Sequence, residues 1–398
     1  MKTIINRQNR IFLVLSILLG ISLAACKKDK NEGGSGAPVI TRVRTVSKTF
    51  VDSTLTTTIV TYDANRKATT NTFANTTPQT VAFDSTTTEG KLQNMYAIIG
   101  SNFTSVTTVT FNGASVYFNK ALGTDSTILL SIPKDAPAGP TQSNILQVTT
   151  LNGMAEFKFG ILLPPPTVSE VSTLNFSEGS QVVLTGIGLG SVTGVNLQGT
   201  NAQATIVAKE DTKLTLKMPS TTVNSAKLVF TYPSGQAAST QEFVNLDNTY
   251  KFFTDDYNNG WSGNFWGKGE VSGEAVKTGS KSLKLTYAKG NWSANGVANW
   301  ATGMPLTTDY KYLSFYLKGG SVEYTLYITA DKRAGGYGNS DQSAPIVVPA
   351  NVWTYYKIPL ASLDLWHNGS PYNQMGFWIK GPDAQDESFY LDDLVFVK

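Results

Sequence analysis

Two stretches of this 398-residue chain repeat each other. Residues 98–113 read IIGSNFTSVTTVTFNG, and residues 184–199 read LTGIGLGSVTGVNLQG. They align without gaps, with Gly100/Gly186, Ser105/Ser191, Val106/Val192, Thr107/Thr193, Val109/Val195 and Gly113/Gly199 identical. At the same offset, TDSTILLSIP (124–133) matches EDTKLTLKMP (210–219). Each copy alternates apolar and polar residues in short runs bounded by Gly, Asn and Pro. That pattern predicts β-strands joined by tight turns, and a unit of roughly 80–90 residues built this way suits a small β-sandwich.

The two copies resemble the IPT/TIG family of immunoglobulin-like domains. The resemblance rests on Pro38-Val39-Ile40, the Ile98–Phe103 turn, Phe111-Asn112-Gly113, Ile132-Pro133 and Thr149–Gly153. The second copy opens at Pro166-Thr167-Val168 and passes Met218-Pro219, with Leu189 in place of the usual aromatic. The match covers about residues 37–246 and implies spacers or interaction modules. It suggests boundaries at 37–163 and 164–246. Residues 45–90 depart from it; this Thr-rich segment reads as an inserted hairpin or an extra strand pair. Between the copies, Leu163-Pro164-Pro165-Pro166 predicts a stiff joint, because consecutive prolines fix φ and carry no N–H.

The N-terminus reads as an export signal. Lys2, Arg7 and Arg10 precede an uncharged apolar stretch, Ile11–Leu23, that is short for a membrane span. Leu23-Ala24-Ala25-Cys26 then resembles a bacterial lipobox. The resemblance implies a signal peptide over 1–25, lipidation of Cys26, and membrane attachment through that lipid anchor; an ordinary signal with an incidental Cys is the alternative. The polar, Gly-rich segment 26–36 reads as a flexible tether.

Composition excludes several chemistries. Cys26 is the one cysteine, so no disulfide can form within the chain. His367 is the one histidine, which rules out zinc sites built from several His or Cys. Net charge is +3 with no Lys/Arg stripe, so nucleic acid is not an expected partner. No GxxxxGK[ST] loop or strand-linked GxGxxG supports a nucleotide cofactor.

All seven tryptophans fall between Trp261 and Trp378, within a third unit, 247–398. Its expected strands are 282–287, 312–318, 323–329, 353–360, 375–380 and 389–397, short and aromatic-rich, with no convincing amphipathic helix. The expected fold class is therefore all-β: two tandem Ig-like sandwiches followed by a jelly-roll β-sandwich. The third unit resembles carbohydrate-binding modules through FFTDDYNNGW (252–261), TGSKSL (278–283), LSFYLKG (313–319), WTYYKIPL (353–360) and YLDDL (390–394). The whole order resembles multidomain surface glycan-binding lipoproteins that accompany TonB-dependent sugar transporters. It implies non-catalytic capture of a polysaccharide, such as a β-glucan or hemicellulose-like glycan. It also implies an outer-membrane protein facing the cell exterior and a transporter complex as partner.

Sugars offer apolar C–H faces to aromatic rings and hydroxyl edges to polar groups, so platforms and amides together suit them. Trp266, Trp292 and Trp300 lie among Gly, Asn and Ser and are candidate glycan platforms. Alternation turns Trp378 away from Phe377 and Ile379 and separates Tyr316 from Phe315 and Leu317. Trp366 sits in a WHNG loop, and Arg333 and Tyr337 in a Gly-rich loop; these and Trp378 and Tyr316 complete the candidate glycan contacts. Trp353 is expected to be structural, and Trp261 to belong to either core or site. No catalytic residue is assigned. The acid pairs Asp255/Asp256 and Asp392/Asp393 stand at the two ends of the third unit. They read as turn carboxylates, as a structural calcium site through Asp256 and Asp392, or as the two acids of a glycosidase. An adhesin or assembly protein acting through its Ig-like modules is the other alternative.

Overall fold

The computed structural model describes residues 36–398, apart from 53, 63–67, 140 and 340. The signal segment, Cys26 and nearly all of the 26–36 tether lie outside the described residues. Among the described residues, no helix is long and apolar enough to cross a membrane. The chain divides into two compact units between Pro164 and Pro165.

The first unit packs two four-stranded sheets. One runs β4 (Pro78–Thr87), β1 (Val39–Val51), β6 (Met95–Ser101), β9 (Thr127–Ser131). The other runs β11 (Gly153–Lys158), β10 (Ile145–Thr150), β7 (Val106–Phe111), β8 (Ala114–Val116). The short strands β5 (Glu89–Lys91) and β12 (Gly160–Leu162) pair in parallel. Val43, Ile98, Val109, Phe111, Leu146 and Val148 are wholly buried between the sheets. The Thr-rich segment is strand throughout most of its length. β1 and β4 run on as an exposed ribbon from Ser47/Ala82 to Val51/Pro78, and β2 (Thr56–Tyr62) and β3 (Ala68–Ala74) form a hairpin within it.

The second unit begins with an eight-stranded sheet: β13 (Thr167–Val171), β15 (Gln181–Ile187), β18 (Lys213–Lys217), β17 (Gln203–Lys209), β16 (Gly194–Leu197), β19 (Ser225–Tyr232), β20 (Gly235–Asn245), β14 (Asn175–Phe176). The repeat identities have a steric origin. A Cβ on Gly100 would lie 1.8 Å from the Val39 carbonyl oxygen, and one on Gly186 1.8 Å from that of Thr167. In both copies the opening strand shifts register just past this contact. Val109 and Val195 are both fully buried, and Gly113 and Gly199 both turn at positive φ, +82° and +77°.

The rest of this unit is a sandwich of two further sheets. One runs β23 (Lys268–Ser272), β24 (Ser282–Tyr287), β31 (Glu387–Val397), β26 (Tyr312–Lys318), β29 (Trp353–Pro359), with β21 (Tyr250–Phe253) also on β31. The other runs β22 (Ser262–Phe265), β25 (Trp292–Ala298), β30 (Gln374–Lys380), β27 (Tyr324–Ala330), β28 (Pro345–Val348). Leu283, Leu285, Phe315, Leu326, Ile328 and Phe377 fill the space between them, each such burial contributing about 1.5–3 kcal/mol.

This sandwich is locked to the preceding sheet. Val244 and Leu246 share an apolar cluster with Val395 and Val397. The Leu174 N–H donates to the Tyr316 hydroxyl at 2.5 Å, Asn175 Nδ2 donates to Asp393 at 3.0 Å, and Lys357 meets Glu242 at 2.7 Å.

Candidate functional site

The face of the β22-β25-β30-β27-β28 sheet that points away from the core carries an aromatic cluster. On β30, Phe377 and Ile379 enter the core, so Trp378 faces outward. Register sets Ala294 of β25 on one side of Trp378 and Tyr327 of β27 on the other. Trp292 lies two residues before Ala294 and shares its face. Past the end of β22, the Trp266 N–H donates to the Ala294 carbonyl at 2.9 Å, while the preceding Phe265 packs on the core.

The rings form two groups. Tyr327, Trp378 and Trp292 are near-parallel, with Tyr327–Trp378 centroids 4.7 Å apart and Trp378–Trp292 centroids 5.9 Å apart. Trp266 meets Tyr337 edge-on at 5.8 Å. Trp378 and Tyr337 are buried, whereas Trp266 and Trp292 are 57% and 55% exposed. Two indoles are thus open to solvent, each braced by a buried ring.

The loop after β27 is fastened on this same face. Arg333 is buried and pairs with Asp341 at 2.9 Å; it also donates to the Leu363 carbonyl and to Ser343. Burial opposes ionisation of Asp341, but hydrogen bonds from Ser343 and Arg333 outweigh it and hold the carboxyl below its usual range. The Asp341 carbonyl in turn accepts from Trp378 Nε1 at 3.0 Å. The Tyr337 hydroxyl donates to the Asn264 carbonyl at 3.3 Å, and burial pushes its pKa well up. Beneath, Gly296 pairs with Gly376. A Cβ on Gly296 would lie 2.2 Å from the Met375 carbonyl oxygen, so neither strand tolerates a side chain there.

The expected site residues therefore separate. Trp266 and Trp292 come together at one end of the sheet. Trp300 is 68% exposed but lies in the bend past the opposite end of β25, whose last residue, Ala298, is about 20 Å from Trp292 at strand rise. Trp378, Tyr337 and Arg333 are corrected from contact to support, because their polar atoms are spent inside the protein and their surfaces are covered. Tyr316 is corrected likewise: it is on the other sheet, 3% exposed, sealed against Thr173 and Leu174. Trp366 is half-buried on the core, its Nε1 donating to the Met304 carbonyl at 3.0 Å. Trp261 is core, edge-on to Phe252 at 4.9 Å. Trp353 is half-buried on the edge strand β29 and outside the core cluster. Tyr327 joins the cluster from outside the expected site, and alternation against Leu326 and Ile328 marks its outward direction.

The acids do not fit a calcium cage. Asp392 accepts from the Lys277, Thr278 and Asp393 N–H groups and the Thr278 hydroxyl, so donors already occupy both its oxygens. Asp256 is exposed and accepts from the Tyr257 N–H. Among the described residues, no group of three or more His, Cys, Asp or Glu gathers for a metal. Burial, and then the neighbouring Asp393, push the Asp392 carboxyl up to about 7.

No protein-family profile matches the chain, and no curated protein matches it. Among solved structures, a surface glycan-binding protein from Prevotella bryantii superposes with a TM-score of 0.50 at 17% identity, over 91% of this chain and 99% of that one. A protein from a complex xyloglucan utilization locus in Bacteroides uniformis overlaps at a TM-score of 0.37 and 16% identity, over 77% of this chain and 96% of that one. The chain therefore shares the all-β multidomain fold of the Prevotella bryantii surface glycan-binding protein.

Proposed function

We propose that this protein captures a polysaccharide at the cell surface without cleaving it, through Trp266 and Trp292. One observation carries the reading: two solvent-open indoles stand on one sheet face, each fixed by a buried ring. A pre-fixed indole stacks on the C–H face of a sugar with little ordering cost, and the exposed Gly290 and Asn291 adjoin Trp292 for hydroxyls. The solved relative's name, a surface glycan-binding protein, supports the same reading. Lipidation of Cys26 would hold the protein on the outer membrane, where handing glycan to a TonB-dependent transporter is the fitting role. The burial of Asp392 and Asp393, on the other sheet, gives no support to a glycosidase.

Native affinity gels of the purified protein test this, with xyloglucan, mixed-linkage β-glucan, xylan and galactomannan each cast into the gel. Retardation by at least one is expected; retardation by none overturns the reading.

A second reading, attachment to a protein partner, draws on the ribbon of the first unit. There Phe50, Val81 and Phe83 are 38–40% exposed, with Lys48 4.4 Å from the Phe83 ring centre. It expects partner binding to survive loss of residues 247–398.

A further inference from the structure

Trp300 is the most exposed of the seven tryptophans, yet the turn beneath it is built firmly. Asn299 is 2% exposed; its Nδ2 donates to the Asn259 carbonyl and its Oδ1 accepts from the Ala301 and Thr302 N–H groups. Asn373 Nδ2 donates to the Asn299 carbonyl at 2.7 Å, and Asn373 is itself held by its N–H to Asp331 at 2.8 Å. Gly303 closes the turn at φ +60°, where a Cβ would lie 2.6 Å from the Tyr372 carbonyl oxygen.

Ordering a loop costs about 1–2 kcal/mol per residue in backbone entropy. Packing of the Trp300 ring returns little of that, since most of the indole is left in water. A rigid base under an outward ring is what a stacking contact needs, because the ring is ordered before the ligand arrives. The company is Asn299, Ala301, Thr302 and Gly303, the same small and amide-bearing types that flank Trp266 and Trp292. Protein hot spots instead favour a fully desolvated apolar surround. Asn299 still hydrogen-bonds through its N–H to the Asn373 carbonyl as a strand residue would. Trp300 itself lies in the bend just past β25, at the end of that strand opposite Trp292.

We infer that Trp300 is a second, separate stacking position for a pyranose of the same polysaccharide, in the bend beyond the far end of β25, a strand about 20 Å long that starts at Trp292. The inference rests on the glycan-capture reading. A polymer can engage both positions at once, so the second contact is intramolecular and adds avidity. An oligosaccharide of four sugars or fewer is too short to bridge them. The two positions therefore make the protein a reader of chain length as well as of sugar identity.

The test titrates wild type, Trp300→Ala and Trp266→Ala with the same four polysaccharides and with tetrasaccharides cut from each. Trp300→Ala is expected to weaken polymer binding roughly fivefold or more and to leave tetrasaccharide binding at the Trp266–Trp292 end within twofold. Trp266→Ala is expected to weaken both. Unchanged polymer binding by Trp300→Ala, beside a weakened Trp266→Ala, overturns the second position alone. Equal losses on polymer and tetrasaccharide also overturn it, since Trp300 would then belong to one short site. Absence of any wild-type binding overturns the capture reading and this inference together. Circular dichroism melts of each variant separate lost binding from lost fold.

Discussion

Trp292 lies against Trp378 with ring centroids 5.9 Å apart and planes 28° apart, and of the two only Trp292 reaches solvent. One ring is thus the surface and the other its backing. Trp292→Ala is expected to weaken glycan binding by about 1–3 kcal/mol, the range of comparable stacks, with a nearly unchanged melting temperature. Trp378→Ala is expected to lower both, because it opens a cavity worth about 3–5 kcal/mol. Calorimetric titration and thermal melts on the pair distinguish the roles.

Arg333 should act on the site without touching ligand. Replacing it with Met leaves Asp341 without its ion pair and frees the carbonyl that holds Trp378 Nε1. Asp341 keeps partial access to solvent, so losing the pair should cost less than the about 3–5 kcal/mol of a fully buried one. The expected outcome for Arg333→Met is a lower melting temperature, a shifted tryptophan emission maximum and weaker glycan binding. The double variant Arg333→Met, Asp341→Asn should regain part of the stability, since no unpaired carboxylate remains.

Tyr316 ties the C-terminal sandwich to the eight-stranded sheet before it. Tyr316→Phe leaves the Leu174 N–H without its acceptor, at a cost of about 1–3 kcal/mol. Unfolding should become easier by that amount in denaturant titrations, while glycan affinity stays within twofold.

Asp392 gives the fold a pH dependence of defined sign. Its carboxyl is raised to about 7 in the folded protein, against about 3.9 unfolded. Between those values the folded state holds the proton and the unfolded state does not, so unfolding releases it. This residue's contribution is therefore most favourable below about pH 4 and declines as pH rises through 7. Asp392→Asn should remove that decline: its melting temperature, relative to wild type, is expected to rise steadily between about pH 4 and pH 7. Carboxylates held low, such as Glu242 and Glu387, add the opposite trend in acid, which the comparison with wild type cancels.

Strands built on β-branched and aromatic alternation were legible in the sequence: 282–287 and 312–318 match β24 and β26 residue for residue. The strand that matters most for the site was not. Residues 292–298, WSANGVA, are absent from the expected strands, yet they form β25, the neighbour of β30 in the outer sheet. Gly296 is small because the Met375 carbonyl closes on it, and Ala294 packs with the Trp378 and Tyr337 side chains, a demand that arises from tertiary contact. The same closure separates Trp378, Tyr337 and Arg333 from the ligand contacts their residue types suggest. Their residue types suit binding, and nothing local announces that a loop will be fastened over them. Polar, glycine-rich flanks did mark Trp266, Trp292 and Trp300 as exposed. The distance separating Trp300 from the other two depends on strand pairing and was not visible in the flanks.

The central claim is that the Trp266–Trp292 face captures polysaccharide, and its most direct test is the double variant Trp266→Ala, Trp292→Ala run beside wild type in affinity gels across the four polysaccharides. The account predicts that at least one polymer retards wild type, and that the folded double variant migrates as if that polymer were absent. Equal retardation of the two proteins would contradict it.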